Sequence, residues 1–368
     1  MPHNAAARSN LALRTMERYN QNSGSTVPLI NATHRQGNEM QGRENGMASP
    51  QLKDLYELFA ERAAAAAGST PTLEQRRESI NLLGQRFESL DGTRTEAVNA
   101  DGVPAEWVSA QGADNGTVLY LHGGGYVIGS VISHRGMAAN LSRSSGCRVL
   151  TVDYRLAPEH KHPAQVEDAQ TAYRWMLKHG ADPSTTIVAG DSAGGGLTVA
   201  TLLSARDAGD PLPAAGVCIS PWVDMEGMGE SMNTKAGVDP TVSKAGLLDM
   251  AAHFLGDGDR RDPLAAPLYA DLAGLPPLLI IVGTAEVLLD DAVRLHEKAE
   301  TASVSSRLKI WEDMVHIWPW FAPFLPEGQQ AMKQMGDFIK EQICAASFWK
   351  ESVAIKHTTS GIGQRTRR

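Results

Sequence analysis

The chain has 368 residues, a formal net charge of −8, 42% hydrophobic residues and 21% charged residues. That balance suits a globular protein with a sizeable core and excludes a disordered chain, a collagen-like repeat or a coiled coil as the whole architecture. The acidic sign also argues against nucleic acid as a partner, because phosphate binding needs a basic surface.

No apolar run reaches the ~20 residues of a membrane-spanning helix. Residues 1–10 lack the apolar stretch of a secretory signal, so a cytoplasmic location without a membrane partner is expected. Cys147, Cys218 and Cys344 are far apart and form no CxxC, which predicts packing rather than a disulfide framework.

In chain order, residues 1–50 are rich in Asn, Gln, Ser, Arg and Gly and read as an extended arm. Leu52, Leu55, Tyr56 and Phe59 then repeat at helical spacing, and Gly68 follows as a stop. Thr72 and Gln75 form a capping-box pattern that opens a second helix with Leu73, Ile80, Leu83 and Phe87 as its apolar positions. Short β-rich runs follow near residues 96–98, 105–109, 117–121, 148–152, 186–189, 216–220, 278–282 and 306–311. From the third run onward helical stretches separate most of them. This alternation predicts an α/β fold: a mostly parallel sheet with helices on both faces, opened by an antiparallel pair. Residues 223–275 carry no strand pattern and are a candidate cap insertion. The end, with Lys350, Lys356, Arg365, Arg367 and Arg368, reads as a solvated basic tail. The expected organisation is an arm with cap helices over 1–92, a catalytic domain over 93–345 and a polar tail over 346–368.

Two glycine-rich turns carry the chemistry. The apolar run 186–189 leads into Gly190-Asp191-Ser192-Ala193-Gly194, a G-x-S-x-G pattern at a strand-to-helix turn. A serine exposed on so tight a turn needs glycines where side chains would block close backbone approach. A dinucleotide fingerprint fails here, because Ile128 occupies the glycine position required after Gly123 and Gly125. The run 118–121 likewise leads into His122-Gly123-Gly124-Gly125-Tyr126. Acyl transfer places negative charge on the former carbonyl oxygen, and each N–H aimed at it can be worth ~2.7–4 kcal/mol. Gly124, Gly125 and Ala193 are the expected oxyanion donors, while His122 is expected to hydrogen-bond locally and shape its loop.

Together with Val152-Asp153-Tyr154-Arg155-Leu156-Ala157-Pro158-Glu159, these motifs resemble the hormone-sensitive-lipase-like branch of the α/β-hydrolases over residues 93–345. The resemblance implies an eight-stranded α/β-hydrolase sheet with a cap, a small-molecule ester substrate and a homodimer. No cofactor or metal is expected; the His160-Lys161-His162 pair lacks a completing ligand pattern. Asp153 and Asp168 are expected to anchor loops near the site.

A serine hydrolase needs a base and an acid to orient it, in the chain order Ser, acid, His for this fold. Of the later histidines, His253 lies in the insertion, His296 in a charged, solvent-facing helical run and His357 in the tail. His316 follows the run 306–311, in a segment similar to the family's Gly-Met-x-His-x-Phe, and is the expected base. Most family members carry Asp-Pro at the acid position; this chain has Glu286-Val287 after the run 278–282. Glu286 is the expected acid and Asp290 the runner-up, with Asp290 expected to cap or anchor the next helix. Tyr126 and Trp318 are candidate substrate contacts. A core face remains the competing reading for Trp318, Trp320 and Phe321.

The arm, the paired helices, the segment from Gly283 to Asp291 and the length are together similar to bacterial carboxylesterases that de-esterify sulfonylurea herbicides. That implies a methyl or ethyl ester of an aromatic acid as substrate. The alternatives are a general short-chain carboxylesterase and a hydrolase-fold receptor without turnover, the latter disfavoured by the presence of His316. An acidic chain fits a largely apolar substrate that needs no electrostatic steering.

Overall fold

The computed structural model describes residues 48–362, with the backbone alone from residue 346 on. The arm therefore lies outside the described residues, apart from its last three.

Helix α1 (Pro50–Ala66) begins at Ser49, whose hydroxyl accepts the Leu52 N–H, with Pro50 in the first turn where its missing N–H costs nothing. Ser49 is itself tied to Glu327 by its N–H and its hydroxyl, both at 2.8 Å. Leu52, Leu55 and Phe59 are buried, as their spacing predicts. Gly68 follows at φ 77°, which suits glycine. Helix α2 (Leu73–Arg86) opens on the Thr72–Gln75 capping box.

All eight β-rich runs are strands: β1 (Thr93–Ala100), β2 (Val103–Ala110), β3 (Thr117–Leu121), β4 (Arg148–Val152), β5 (Thr186–Asp191), β6 (Ala215–Ile219), β7 (Leu278–Gly283) and β8 (Ser306–Trp311). They form one sheet in the order β1-β2-β4-β3-β5-β6-β7-β8. β2 pairs antiparallel with both β1 and β4, and the remaining pairs are parallel. Helices α3 (Val131–Ser145), α4 (Ala164–Lys178), α5 (Ala193–Ala208) and α8 (Leu289–Thr301) lie between strands as crossovers. The insertion holds the short α6 (Ser231–Thr234) and α7 (Lys244–Leu255).

Alternation along the strands divides the core. Leu119, Val188 and Ile280 pack with residues of α4, α5 and α8 on one face. Val118, Ile187 and Ile281 pack on the other with residues of α1, α3 and the final helix α9 (Pro326–Ile362). The parallel strands β3, β5, β6, β7 and β8 end at the same edge, where their loops gather.

α9 runs through residue 345 without a break, because no glycine or proline interrupts residues 337–360. Residues 363–368 lie outside the described residues.

Leu55 is wholly buried beneath α1 whereas Leu82 is 56% exposed. Leu55→Ala is expected to lower stability by about 2–5 kcal/mol in urea denaturation, and Leu82→Ala by no more than about 0.5 kcal/mol. Equal effects would show that α1 does not belong to the cooperative core.

Candidate active site

The β5–α5 turn holds Ser192 at φ 54° and ψ −120°, a conformation rarely adopted outside glycine. The surrounding backbone fixes it: the Ser192 N–H donates to the Ile219 carbonyl at 2.8 Å, and its own carbonyl accepts from Gly195 and Trp222. A side chain at Gly194 would collide with the carbonyls of Leu121 and His122, and one at Gly190 with those of Gly194 and Leu121. The glycines thus let the end of β3 and the serine turn pack backbone to backbone.

His316 lies in the loop after β8, with Nε2 3.0 Å from Ser192 Oγ. Its Nδ1 is 2.8 Å from Glu286 Oε2, in the loop after β7. The other carboxylate oxygen of Glu286 accepts the Gly283 N–H at 2.6 Å and the Ser220 hydroxyl at 2.8 Å. Ser220, at φ 45° just after β6, also accepts the Ile317 N–H at 3.2 Å. It is a positioning residue that no motif pointed to; a buried hydroxyl at the end of a predicted strand was the only available signal.

Burial pushes the Glu286 carboxyl above its ordinary range, and its donors pull part of the way back. Burial alone would lower the His316 imidazole. The hydrogen bond and charge of Glu286 outweigh it and hold the ring above its ordinary value. Asp290 does not meet His316; it accepts the Ser231 N–H at 2.8 Å and ties α8 to α6, the anchoring role expected of it. Its neighbour Asp291 was missed. Asp291 is wholly buried, accepts the N–H groups of Val223 and Asp224, and is pushed up to about 8 by burial.

The glycine loop after β3 rests on Asp191, whose Oδ1 accepts the Gly123 N–H at 3.1 Å and the Tyr120 hydroxyl at 2.7 Å. Its Oδ2 faces His134 Nε2 at 3.3 Å, outside good hydrogen-bond alignment. Burial drives the His122 pKa down to about 3, so the ring is neutral. His122 Nδ1 pairs with the Gly123 carbonyl at 2.7 Å and the ring stacks on Tyr154 at 4.2 Å. Among the described residues, no acceptor pairs with the N–H groups of Gly124, Gly125 or Ala193.

A cavity of about 820 Å³ includes Ser192, His316, Gly124 and Gly125 in its lining. Phe59, Ile80 and Leu83 from α1 and α2, Leu247 and Met250 from α7, and Trp320 supply apolar wall. Two expected substrate contacts are corrected. Tyr126 is wholly buried, stacked on Phe254 at 3.9 Å. Trp318 is wholly buried against Trp311. Both belong to the core, and it is Trp320 and Phe321 that reach the cavity. His296 is also corrected: it is half-buried, with Nδ1 2.9 Å from Ser306 Oγ, because its helix face packs on β8. Asp153 and Asp168 do anchor loops, accepting the N–H groups of Val131 and Arg155. Cys147 and Cys218 are buried, whereas Cys344 is exposed.

The sequence matches a family model described as an alpha/beta hydrolase fold over residues 118–319. An acetyl-hydrolase of Streptomyces hygroscopicus is 43% identical over 294 residues, 80% of this chain and 97% of that protein. An esterase of Acinetobacter venetianus is 32% identical, over 71% of this chain and 87% of its own length. Among solved structures, an esterase from the bacterial hormone-sensitive lipase family is 50% identical with a TM-score of 0.78, covering 81% of this chain and all of that one. The chain belongs to the α/β-hydrolase family, in its hormone-sensitive-lipase-like branch. No helix among the described residues is long and apolar enough to cross a membrane.

The His316 imidazole is expected to titrate by NMR with a midpoint above the ordinary ~6.5 of histidine. Glu286→Gln removes the carboxylate and leaves the burial, so the midpoint should fall below that value. An unchanged midpoint would separate the two residues electrostatically.

Proposed function

We propose that Ser192, His316 and Glu286 form the catalytic triad of this serine carboxylic ester hydrolase. The observation that carries the reading is the continuous chain from Ser192 Oγ through His316 to Glu286, at 3.0 and 2.8 Å, beside three backbone N–H groups that find no acceptor among the described residues. His316 accepts the Ser192 proton as the hydroxyl attacks the ester carbonyl. The N–H groups of Gly124, Gly125 and Ala193 hold the oxyanion. His316 then protonates the departing alcohol, and water, deprotonated by the same ring, releases the acid from the acyl-enzyme. Glu286 keeps the correct tautomer and stabilises the imidazolium; Ser220 holds Glu286.

We extend the proposal to esters of aromatic acids, including methyl and ethyl esters with a sulfonylurea bridge. Its support is the likeness of the Gly283–Asp291 segment and a cavity of about 820 Å³ with apolar walls, large enough for a drug-sized ester. Short acyl esters are the second reading, favoured by the acetyl-hydrolase named among the relatives. A homodimer joined through an edge of the sheet, whose outer strands are β1 and β8, belongs to the same proposal.

Ser192→Ala is expected to lower kcat by about 10⁴- to 10⁶-fold with unchanged circular dichroism. Glu286→Gln should cost on the order of 10⁴-fold and Asp290→Asn less than about tenfold. Near-normal turnover by Ser192→Ala, or the opposite ranking of the two acids, would overturn the assignment. A panel of 4-nitrophenyl acetate, butyrate and octanoate beside a sulfonylurea methyl ester separates the substrate readings.

A further inference from the structure

The cavity lining is largely apolar, with neutral hydroxyls such as Ser79, Thr241 and Ser243; its arginines are Arg62 of α1 and Arg76 of α2, and it includes no aspartate or glutamate. Each arginine carries a guanidinium, a planar cationic fork of N–H donors suited to a carboxylate. Neither has a carboxylate partner within ion-pair distance among the described residues. Arg62 donates Nη2 to the Ser79 hydroxyl at 2.9 Å, a neutral acceptor that also lines the cavity. The Arg76 side chain has no hydrogen bond or ion pair among the described residues, although it is half-buried.

The neighbouring Arg77 shows what a structural arginine looks like in this helix. It forms a bidentate pair with Glu159 at 2.8 Å and donates to the carbonyls of Val127 and Ala157. Glu159 is held down at about 2 by that pairing. Arg76 also sits in the first turn of α2, where the helix dipole disfavours a cation and favours an anion. An arginine placed against the dipole and left without a counter-charge raises the local potential instead of stabilising the helix.

We propose that Arg62 and Arg76 are specificity residues that bind an anionic group, such as a carboxylate, at the non-reacting end of the ester. This rests on the reading of the cavity as the active site of a serine esterase. The substrate class it names is a half-ester or another ester carrying one negative charge, with the charged end against α1 and α2 and the carbonyl at Ser192. The overall charge of −8 would repel such a substrate, and the two arginines supply the local attraction that the acidic chain lacks.

The test compares matched pairs of esters with the wild type, Arg62→Gln, Arg76→Gln and the double variant. One pair places the charge on the acyl side: mono-4-nitrophenyl glutarate against 4-nitrophenyl pentanoate. The other places it on the alcohol side: 4-acetoxybenzoate against 4-methylphenyl acetate. The readout is the ratio of kcat/KM for the charged ester to that for its neutral partner. In the double variant this ratio should fall at least about tenfold in one of the two pairs, through KM rather than kcat. Thermal denaturation checks that the variants fold. Ratios that match the wild type in both pairs would overturn the anion site. If the wild type cleaved neither neutral ester, the esterase reading would fall instead, so the two failures are distinguishable.

Discussion

The backbone at Ser192 is held at φ 54° and ψ −120°, and much of the site is arranged around keeping it there. Such a turn costs on the order of 1–3 kcal/mol and persists only where its surroundings over-determine it. Gly190 and Gly194 permit the contact with the end of β3, the Ile219 carbonyl takes the Ser192 N–H, and Asp191 ties the turn to the glycine loop. The same contact brings the start of α5 and the N–H groups of Gly124, Gly125 and Ala193 together. The Ser192 hydroxyl and the proposed oxyanion donors are therefore products of one packing event.

The second half of the site depends on a different device. Glu286 and His316 come from separate loops, after β7 and β8, and neither loop is regular. Ser220 joins them by donating to Glu286 and accepting from Ile317, the residue after His316. A hydroxyl can do both at once, which an ionised carboxylate or an ammonium cannot. The wholly buried Glu286 carboxylate would be costly alone; the Gly283 N–H, Ser220 and His316 make it tolerable.

The sequence exposed those features that depend on local chemistry. The two glycine turns, the capping box at Thr72 and the eight strands are set by residues close together in the chain, and their patterns are visible there. The place of Glu286 beside His316 was reachable because its distance after a strand is a property of the loop. Ser220 and Asp291 were not, because their partners lie 66 and about as many residues away and only the folded sheet brings them together. Tyr126 and Trp318 adjoin site residues in sequence but turn into the core. Adjacency in the chain does not say which way a loop side chain points. That α9 continues past residue 345 was also visible locally, in the lack of helix breakers over 337–360.

The central claim is that one serine, made nucleophilic by its position, forms an acyl-enzyme. Treatment of the intact protein with an excess of a fluorophosphonate, followed by peptide mass spectrometry, tests it most directly. A single phosphonyl adduct on Ser192, appearing in step with loss of ester hydrolysis and slowed by His316→Ala, is the predicted result. An adduct on another residue, or full hydrolysis persisting while Ser192 is modified, would contradict it.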